Sequence, residues 1–291
     1  MAAPTVQDSR ATLDSAHGDV PTTRTFDLHL QVDGAPPART RVRESASLVW
    51  VLSRKAFQVR YKRASLGVVW AVVQPAFQAL VLAFVFSHVI TIGKSHHYVA
   101  YVLIGVLGWS AFSQSVAAAT TAILDNDSLV KKVALPLVVF PISAIGGVCL
   151  ASAAALPVYV VAAAVSRTLD AHILLLPVAV LASIALASGF GLLTAALHPA
   201  FRDIRYIVES ALLVGLYATP VVYDTSRLHG VLPKVLRWNP MTGVLGLYRT
   251  AVLGRPTDGI ALLVTVGSII VLLTGGVLLY QRRCGEFPDL V

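Results

Sequence analysis

Long apolar runs separated by short polar connections make up most of this chain. About 20 apolar residues are enough for a helix to cross a bilayer core of about 30 Å, and Pro or Gly inside such a helix is tolerated where neighbouring helices satisfy the freed backbone groups. The pattern therefore predicts six transmembrane helices. The predicted spans are 68–92, 98–124, 135–165, 173–197, 207–222 and 260–280.

The residues that precede the first span predict an amphipathic helix at the membrane surface. On a helical wheel, residues 48–63 separate into an aliphatic stripe, an aromatic stripe and a basic side, and a helix with these faces lies in the plane of a membrane interface. We assign 45–66 to this interface helix and a short hinge, and 67–291 to the six-span transmembrane domain. The three stripes are formed by Leu48, Val49, Leu52, Ala56 and Val59, by Trp50, Phe57 and Tyr61, and by Arg54, Lys55, Gln58 and Lys62.

Composition agrees with a polytopic membrane protein. The 291 residues are 56% hydrophobic and 13% charged, whereas soluble domains carry about 25% charged residues. Basic residues at the span ends fall mostly on one side, which predicts that both termini are cytoplasmic. A net charge of +8 then indicates contact with anionic membrane lipids rather than with nucleic acid. Cys149 and Cys284 lie far apart and predict neither a disulfide framework nor a metal site.

Two regions fall outside the six spans and the interface helix. Residues 1–44 form a polar N-terminal extension, in which alternating apolar and polar side chains at 26–32 predict a short strand. Residues 224–256, between spans five and six, are too long for a turn and too broken to cross a bilayer. Their half-length apolar pieces predict re-entrant helices that enter from the outer side. The predicted fold class is therefore an all-α polytopic membrane protein with an interface helix and outer re-entrant helices.

The cytoplasmic loop between spans two and three carries a strong helix start. A cluster of Asn, Asp and Ser side chains favours an N-cap, and two lysines follow it. The predicted short helix, about 126–134, suits a peg for a partner subunit; the alternative is an ordinary capped turn whose lysines obey the positive-inside rule. Its candidate contact residues are Asn126, Asp127, Ser128, Leu129, Lys131 and Lys132.

A basic cluster precedes the fifth span. Arg202 and Arg205 can offer forked donors to a phosphate, although lipid-headgroup anchoring is the simpler interpretation. Glu209 lies just inside the span, where a carboxylate needs a partner or an aqueous path. Pairing with Arg205, four residues earlier, is its simplest explanation.

Aromatic side chains are spread over the first, second and fifth spans. Their faces suit the apolar face of a sugar ring, so they are candidates to line a glycan path. At span ends, as for Tyr223, a belt at the membrane interface is the better interpretation. The candidates are Phe77, Phe84, Phe112, Tyr217 and Tyr223.

The chain shows no machinery of its own for chemistry or ATP hydrolysis. Gly93-Lys94-Ser95 lacks the glycine that a phosphate-binding loop needs five positions before its Gly-Lys pair, where His88 stands. His96 and His97 suit an exposed polar loop better than a metal site. We therefore expect a protein that is not an enzyme and that itself binds no metal or cofactor.

Five segments, in chain order from about residue 45 to the end, resemble motifs of type-2 ABC exporter permeases that move polysaccharides, O-antigens and teichoic acids. Each motif alone is weak, and the ordered set is specific. The segments are Arg60-Tyr61-Lys62 with 66–71 and Gln74-Pro75, 126–136 with Lys131-Lys132-Val133, Phe201-Arg202-Asp203-Ile204-Arg205 with 218–223, Trp238-Asn239-Pro240-Met241-Thr242-Gly243 with Tyr248-Arg249, and Glu286-Phe287-Pro288-Asp289.

This resemblance implies a homodimer of six-span permeases in the bacterial inner membrane, bound by two copies of a cytoplasmic subunit that holds ATP and Mg²⁺. It implies export of a polyprenyl-pyrophosphate-linked glycan, of O-antigen, galactan or teichoic acid type, through the dimer interface. Carried onto this sequence, the resemblance assigns ATPase coupling to the 126–134 helix with Arg54, Arg60 and Lys62. Pyrophosphate recognition is assigned to Arg202, Arg205 and Tyr206. The outer gate is assigned to 228–253, with Trp238, Asn239 and Pro240 as its candidate residues.

Two alternative functions stay open. A type-2 exporter of drugs or small lipids shares the same fold. A membrane-embedded enzyme that modifies glycans or lipids would need an acidic pair or a metal cluster near the membrane interface, for which Asp203 with Glu209 is the only candidate.

Overall fold

The computed structural model describes residues 38–62, 64–88, 97–132, 136–225 and 230–287, except for the side chains at 38–45, 88 and 132. The regular secondary structure in these ranges is entirely helical, as the all-α prediction requires. The strand predicted at 26–32 and the loop that contains His96 lie outside the described residues. The α-helices are α1 (Ala38–Tyr61), α2 (Trp70–His88), α3 (Tyr98–Thr121), α4 (Asp127–Lys132), α5 (Val139–Ser152), α6 (Leu156–Val165), α7 (Leu176–Leu197), α8 (Ile204–Ala218), α9 (Leu232–Leu236), α10 (Pro240–Leu253) and α11 (Gly259–Arg283).

Five helical segments of the described chain are long and apolar enough to cross a membrane. They hold 21 to 27 residues each, which corresponds to about 32 to 40 Å of helix. They coincide with predicted spans one to four and six, and they confirm a multi-pass helical membrane protein. The segments are Gly67–Ser87, Tyr98–Thr121, Val139–Val165, Ala171–Leu197 and Gly259–Arg283.

The predicted fifth span differs from the other five. α8 ends at Ala218 after 15 residues, which is about 22 Å and shorter than a bilayer core of about 30 Å. Thr219 is extended, at φ −104° and ψ 144°, because the residue before Pro220 disfavours the helical region. Residues 219–222 continue as buried, non-helical chain. A count of six spans therefore remains a prediction, with the fifth made of a short helix and this buried segment.

The core lies where α3, α7 and α10 meet, with α11 packed on α7. Small residues allow the close approach of these helices. A Cβ added to Gly191 of α7 would lie 2.6 Å from the Ala119 Cβ of α3, and one added to Gly189 would lie 2.8 Å from the Leu272 Cβ of α11. Membrane helices pack through such small residues because lipid tails provide no hydrophobic driving force between helices.

α10 is a half-length helix enclosed by the rest of the protein. Nine of its 14 residues are buried, and Val244 and Leu245 are 0% exposed. Asn239 caps its start by accepting a hydrogen bond from the Met241 N–H, and Gly254 ends it at φ +64°. A half-length apolar helix covered by its neighbours has the form predicted for a re-entrant helix, whose position in a membrane remains a prediction.

α3 defines the two ends of the bundle. Its 24 residues extend about 36 Å. Its first turn contacts the non-helical segment after α8, close to α10, and its last turn leads towards α4. These two ends are named the α10 end and the α4 end below.

Candidate functional site

Two side-chain hydrogen bonds shape the turn into α4, one to the end of α3 and one within the first turn of α4. Asn126 Nδ2 donates to the Ala122 carbonyl at 2.8 Å, and Asp127 Oδ1 accepts from the Ser128 N–H at 2.5 Å. A carboxylate at a helix start satisfies a free N–H and complements the helix dipole. The predicted N-cap cluster therefore starts a short helix, Asp127–Lys132, between the second and third predicted spans.

One side of α4 is anchored to the bundle and the other is presented to the surroundings. Val130 is 7% exposed, Leu129 is half-buried, and both pack in an apolar cluster that includes Phe140. Ser128 and Lys131 are exposed. An anchored helix with a polar outer face has the geometry that a peg for a partner subunit requires.

α1 is seated on α5 and joined to α3. Ser53 is buried, and a Cβ added to Gly147 of α5 would come within 2.9 Å of the Ala56 Cβ. Arg60 Nη1 donates to Gln114 Oε1 of α3 at 3.2 Å. The predicted interface helix is therefore in direct contact with two helices of the bundle.

A cavity of about 370 Å³ lies between α1, α3, α5 and the turn before α4. Lys55 and Arg60 contribute to its wall from α1, and Asp125 and Asn126 contribute from that turn. The structure thus brings two predicted coupling residues, Arg60 and Asn126, to one site. Charged side chains of both signs therefore line this cavity between α1 and the turn before α4.

Other predicted coupling residues lie apart from this cavity, and three residues in or beside it are additions to the predicted set. Arg54 and Lys62 are exposed on α1 and just after it, and they do not line the cavity. The additions are Lys55 and Asp125, which line the cavity, and Gln114 of α3, which accepts the hydrogen bond from Arg60. A lone amide inside an apolar span is the sequence signal for Gln114, because a polar group at that depth needs a partner.

The C-terminal tail motif reaches the same end of the bundle. Phe287 is 1% exposed, and its ring meets the Tyr280 ring edge to face, with centroids 5.3 Å apart. Both rings belong to the apolar cluster that holds Val130 and Phe140. Residues 288–289 of the motif lie outside the described chain. α4 therefore rests on a cluster that includes the end of the chain.

The residues predicted to receive a pyrophosphate stand at the start of α8. Arg202, Arg205 and Tyr206 are exposed. Arg205 Nε lies 2.9 Å from Glu209 Oε1, which confirms the predicted pairing. The hydrogen bond to Glu209 and its negative charge raise the pKa of Arg205, so this guanidinium stays charged. Arg202 and Tyr206 are accessible, and Arg205 is accessible with a carboxylate beside it.

His198 lies close to this basic cluster and is 4% exposed. Burial lowers its pKa; the Asp125 carboxylate opposes that effect, and the positive charges of Arg205 and Arg202 add to it. Its Nδ1 atom has no hydrogen-bond partner within the described part of the chain. A neutral imidazole therefore sits between the α8 cluster and the turn before α4.

The structure does not gather the five predicted aromatic residues in one place. Phe77 and Phe84 are 68% and 64% exposed on α2, and Tyr217 is 54% exposed on α8. Phe112 is instead buried among other rings in the core. Tyr223 is half-buried, and its hydroxyl donates to the Tyr217 carbonyl at 3.1 Å. Three of the five rings therefore lie on exposed helix faces.

Asn239 ties the start of α10 to the end of α8. Its Oδ1 accepts from the Met241 N–H at 3.0 Å, and its Nδ2 donates to Thr219 Oγ1 at 2.9 Å. Pro240 suits the first helical position, where its missing N–H is not needed. Trp238 is 74% exposed. Two of the three predicted gate residues are thus built into the contact between α8 and α10.

The α10 end also carries a buried charge that is absent from the predicted site. Arg249 is 7% exposed, and its guanidinium carbon lies 3.6 Å from the centre of the Tyr101 ring. Arg255 lies 5.2 Å from the same centre and forms a 2.6 Å ion pair with Asp224. The sequence signal for Arg249 is a single charge within the apolar segment 241–253, because a charge buried there needs partners.

Five bilayer-length helices, an enclosed half-length helix and an anchored polar helix at one end define a multi-pass membrane protein. A family model described as ABC-2 type transporter matches residues 47–253, and the chain belongs to this family. The matched range contains α4, α8 and α10 in full.

Related proteins match most of the chain. One named O-antigen export system permease protein RfbA, from Myxococcus xanthus, is 27% identical over 244 residues, which cover 82% of this chain and 94% of that protein. Two proteins of the same name from Klebsiella pneumoniae are 21% identical over 246 and 250 residues, which cover 84% of this chain and 95% of theirs. The resemblance to type-2 ABC permeases is thereby confirmed.

Proposed function

We propose that this chain is the membrane permease of an ATP-driven exporter that moves a lipid-linked polysaccharide to the outer side of the bacterial inner membrane. In this proposal two copies form a homodimer, with both termini in the cytoplasm, and each copy binds one ATP-binding subunit that holds ATP and Mg²⁺. Similarity to relatives named O-antigen export permeases supports a glycan of the O-antigen type, and a galactan or a teichoic acid chain is the alternative.

The observation that carries the coupling proposal is the seating of α4. Val130 anchors a helix of six residues whose exposed side presents Ser128 and Lys131. A short helix anchored in this way transmits movement of a partner subunit to the helices of the bundle. The partner changes the equilibrium between two conformations of the permease only by the difference in its binding free energy for the two conformations.

Fixed contacts connect this helix to the spans. The apolar cluster around Val130 includes residues of α5, α7 and α11, and the Arg60 to Gln114 hydrogen bond joins α1 to α3. We propose that movement of α4 and α1 therefore parts α2 and α8 from their counterparts in the second copy. The passage along the dimer axis opens when those helices separate.

The substrate enters this scheme at the start of α8. Arg202 and Arg205 offer guanidinium donors to the pyrophosphate of a polyprenyl carrier, with Tyr206 beside them. The sugar chain then passes the exposed rings of α2 and α8. The proposed outer gate lies at the α10 end, where the Trp238-Asn239-Pro240 motif meets α8.

Charge reversal on α4 tests the coupling proposal. In Lys131→Glu/Lys132→Glu, we expect loss of co-purification with the ATP-binding subunit and a fall in surface glycan of more than about tenfold, because reversed charges at an interface cost of order 1.4 kcal/mol or more. Arg167→Glu makes the same kind of change in the exposed loop after α6, outside the proposed coupling and gate segments, and is expected to leave both readouts unchanged. Normal export and normal co-purification in the α4 variant would remove that segment from the coupling role.

The structure gives little support to a membrane-embedded enzyme. Glu209 is paired with Arg205, and the described structure has no hydrogen bond that joins it to Asp203, which is exposed. An acid–base pair of carboxylates would need the two groups to face a common substrate. The purified permease is accordingly expected to hydrolyse no ATP unless the partner subunit is added.

A further inference from the structure

Residues 219–223, directly after α8, form a buried or half-buried stretch that is not helical. The end of a helix and an extended stretch both leave backbone carbonyls without intrahelical donors. Each buried carbonyl still needs a hydrogen bond, and neither lipid tails nor apolar side chains can supply one. The Val221 N–H donates to the Thr219 carbonyl at 2.7 Å, and the donors for the carbonyls that follow come from other helices.

α3 supplies two of the donors. The Tyr98 hydroxyl donates to the Val222 carbonyl at 2.7 Å, and the Tyr101 hydroxyl donates to the Tyr223 carbonyl at 3.1 Å. The two tyrosine rings stack on one another in the first turn of α3, with centroids 6.5 Å apart. Two consecutive carbonyls are thus fixed by one turn of a core helix.

Arg249 of α10 donates hydrogen bonds to the two carbonyls that precede these in the chain. Its Nη2 donates to the Pro220 carbonyl at 2.7 Å and to the Val221 carbonyl at 2.9 Å. The four consecutive carbonyls 220–223 therefore each accept a hydrogen bond from a side chain. The buried guanidinium also stacks on the Tyr101 ring, so carbonyl dipoles and the ring face take the place of water around its charge.

The packing around these bonds leaves no room for adjustment. A Cβ added to Gly105 of α3 would lie 2.8 Å from the Val221 carbonyl oxygen and 3.0 Å from Arg249 Nη2. Only glycine permits α3 to approach both groups this closely. The segment after α8 is held between α3 and α10 by direct backbone contact as well as by the three side chains.

We infer that Tyr98, Tyr101 and Arg249 are positioning residues that fasten residues 220–223 to both α3 and α10, so that the end of α8 and α10 move as one unit. Treating this unit as the outer gate rests on the proposed function, whereas the fastening rests on the contacts alone. A gate that opens at the α10 end must then carry α3, α8 and α10 together or break the bonds of Arg249.

The chemical accessibility of Val222, which is 2% exposed, tests this inference. In a protein whose Cys149 and Cys284 are replaced by alanine, Val222→Cys is reacted with a water-soluble maleimide in detergent and labelling is followed by mass spectrometry. Adding Arg249→Met is expected to speed labelling by at least about tenfold, and adding Tyr98→Phe by about fivefold, the scale for loss of a charge-assisted or a neutral hydrogen bond.

Two controls separate fastening from general stability. Tyr248→Phe removes a buried hydroxyl on α10 that bonds Ser183, and it is expected to leave Val222→Cys labelling unchanged. A second reporter, Ala195→Cys, is 0% exposed and is expected to stay unlabelled in every variant. A rise at both reporters, or equal labelling in the Tyr98→Phe and Tyr248→Phe proteins, would overturn the inference. If Arg249→Met does not fold, the labelling rate of Val222→Cys in the Tyr98→Phe protein, which loses a single hydroxyl, tests the inference.

The labelling rate depends on neither glycan nor ATP, so its outcome is independent of the proposed function. If the wild-type protein exports no glycan, the gate role is wrong. The labelling experiment still decides whether the three side chains fasten residues 220–223. In exporting cells, Arg249→Met is expected to lower surface glycan, and Arg249→Lys, which keeps a buried charge and its donors, is expected to restore part of it. Unchanged labelling in a chain that exports normally would contradict the inference alone.

Discussion

His198 is buried at the α4 end, and its surroundings determine how the protein responds to acid. Burial lowers its pKa, the Asp125 carboxylate opposes that effect, and Arg205 and Arg202 add to it. In the unfolded chain the same imidazole titrates near its ordinary pKa of about 6.5. Below that pH the unfolded chain takes up a proton that the folded protein resists, so the stability contributed by neutral His198 is present above about pH 6.5 and is lost as the pH falls.

We therefore predict that the melting temperature of the solubilised protein falls between about pH 7 and about pH 5, and that His198→Gln reduces this fall. Melting temperatures of both proteins across that range test the prediction. Identical profiles for His198→Gln and the wild type would contradict the prediction.

At this scale, residues whose role depends on near neighbours in the chain were predictable, and residues whose partners are distant were not. The N-cap cluster at 126–128 and the Arg205–Glu209 pair follow from local spacing. The hydrogen bond of Arg60 reaches Gln114, 54 positions away, and that of Tyr98 reaches a carbonyl 124 positions away. No periodicity in one sequence carries such pairings, because they depend on how the helices pack.

At the scale of helices, α1 depends on a contact that leaves no space for a larger side chain. A Cβ added to Gly147 of α5 would lie 2.9 Å from the Ala56 Cβ and 3.2 Å from the Ser53 carbonyl oxygen. We predict that Gly147→Val displaces α1 from α5, because overpacking a close crossing costs about 1–3 kcal/mol. Trypsin cleavage after Arg54 or Lys55 should then be faster, since a displaced helix opens more often to the protease.

Gly275→Val on α11 is the matched control for this substitution. A Cβ added to Gly275 would meet no atom within 4 Å, so valine there is expected to leave the trypsin rate and the melting temperature close to wild type. Equal cleavage rates in the Gly147→Val and Gly275→Val proteins would show that the α1 seat does not depend on this contact.

The apolar pattern predicted most of the long helices but not the end of α8. Five runs became helical segments of bilayer length, and one of them, Val139–Val165, consists of α5 and α6 in succession. In the run 207–222 the helix ends at Ala218, before the Thr219-Pro220 pair. The preference of a residue before proline for extended backbone is a local signal for that end. The apolar pattern does not predict that three distant side chains donate hydrogen bonds to the carbonyls of residues 220–223.

For the molecule as a whole, two exposed apolar faces differ in the polar groups that they carry. α11 exposes Leu263, Val266 and Ile270, and no charged residue occurs from 259 to 281. α8 has two buried residues and exposes Leu213 and other apolar side chains, with the half-exposed Arg205–Glu209 pair in its first two turns. Hydrocarbon covers the α11 face at little cost, whereas an ion pair at the entry of a span favours a protein or aqueous neighbour. The α8 face is therefore the better candidate for contact with a second copy.

We predict that two copies of α8 approach each other in the proposed homodimer. With Cys149 and Cys284 replaced, Leu213→Cys, at a position 66% exposed, should form a covalent dimer with a short bifunctional maleimide in native membranes. Leu263→Cys on α11 sits at a position 75% exposed and serves as the matched control, expected to remain monomeric because lipid separates the two copies there. Dimer bands resolved by denaturing electrophoresis measure the outcome. A dimer through Leu263→Cys but not through Leu213→Cys would place the subunit contact on α11, and the passage could then not run between the α8 helices.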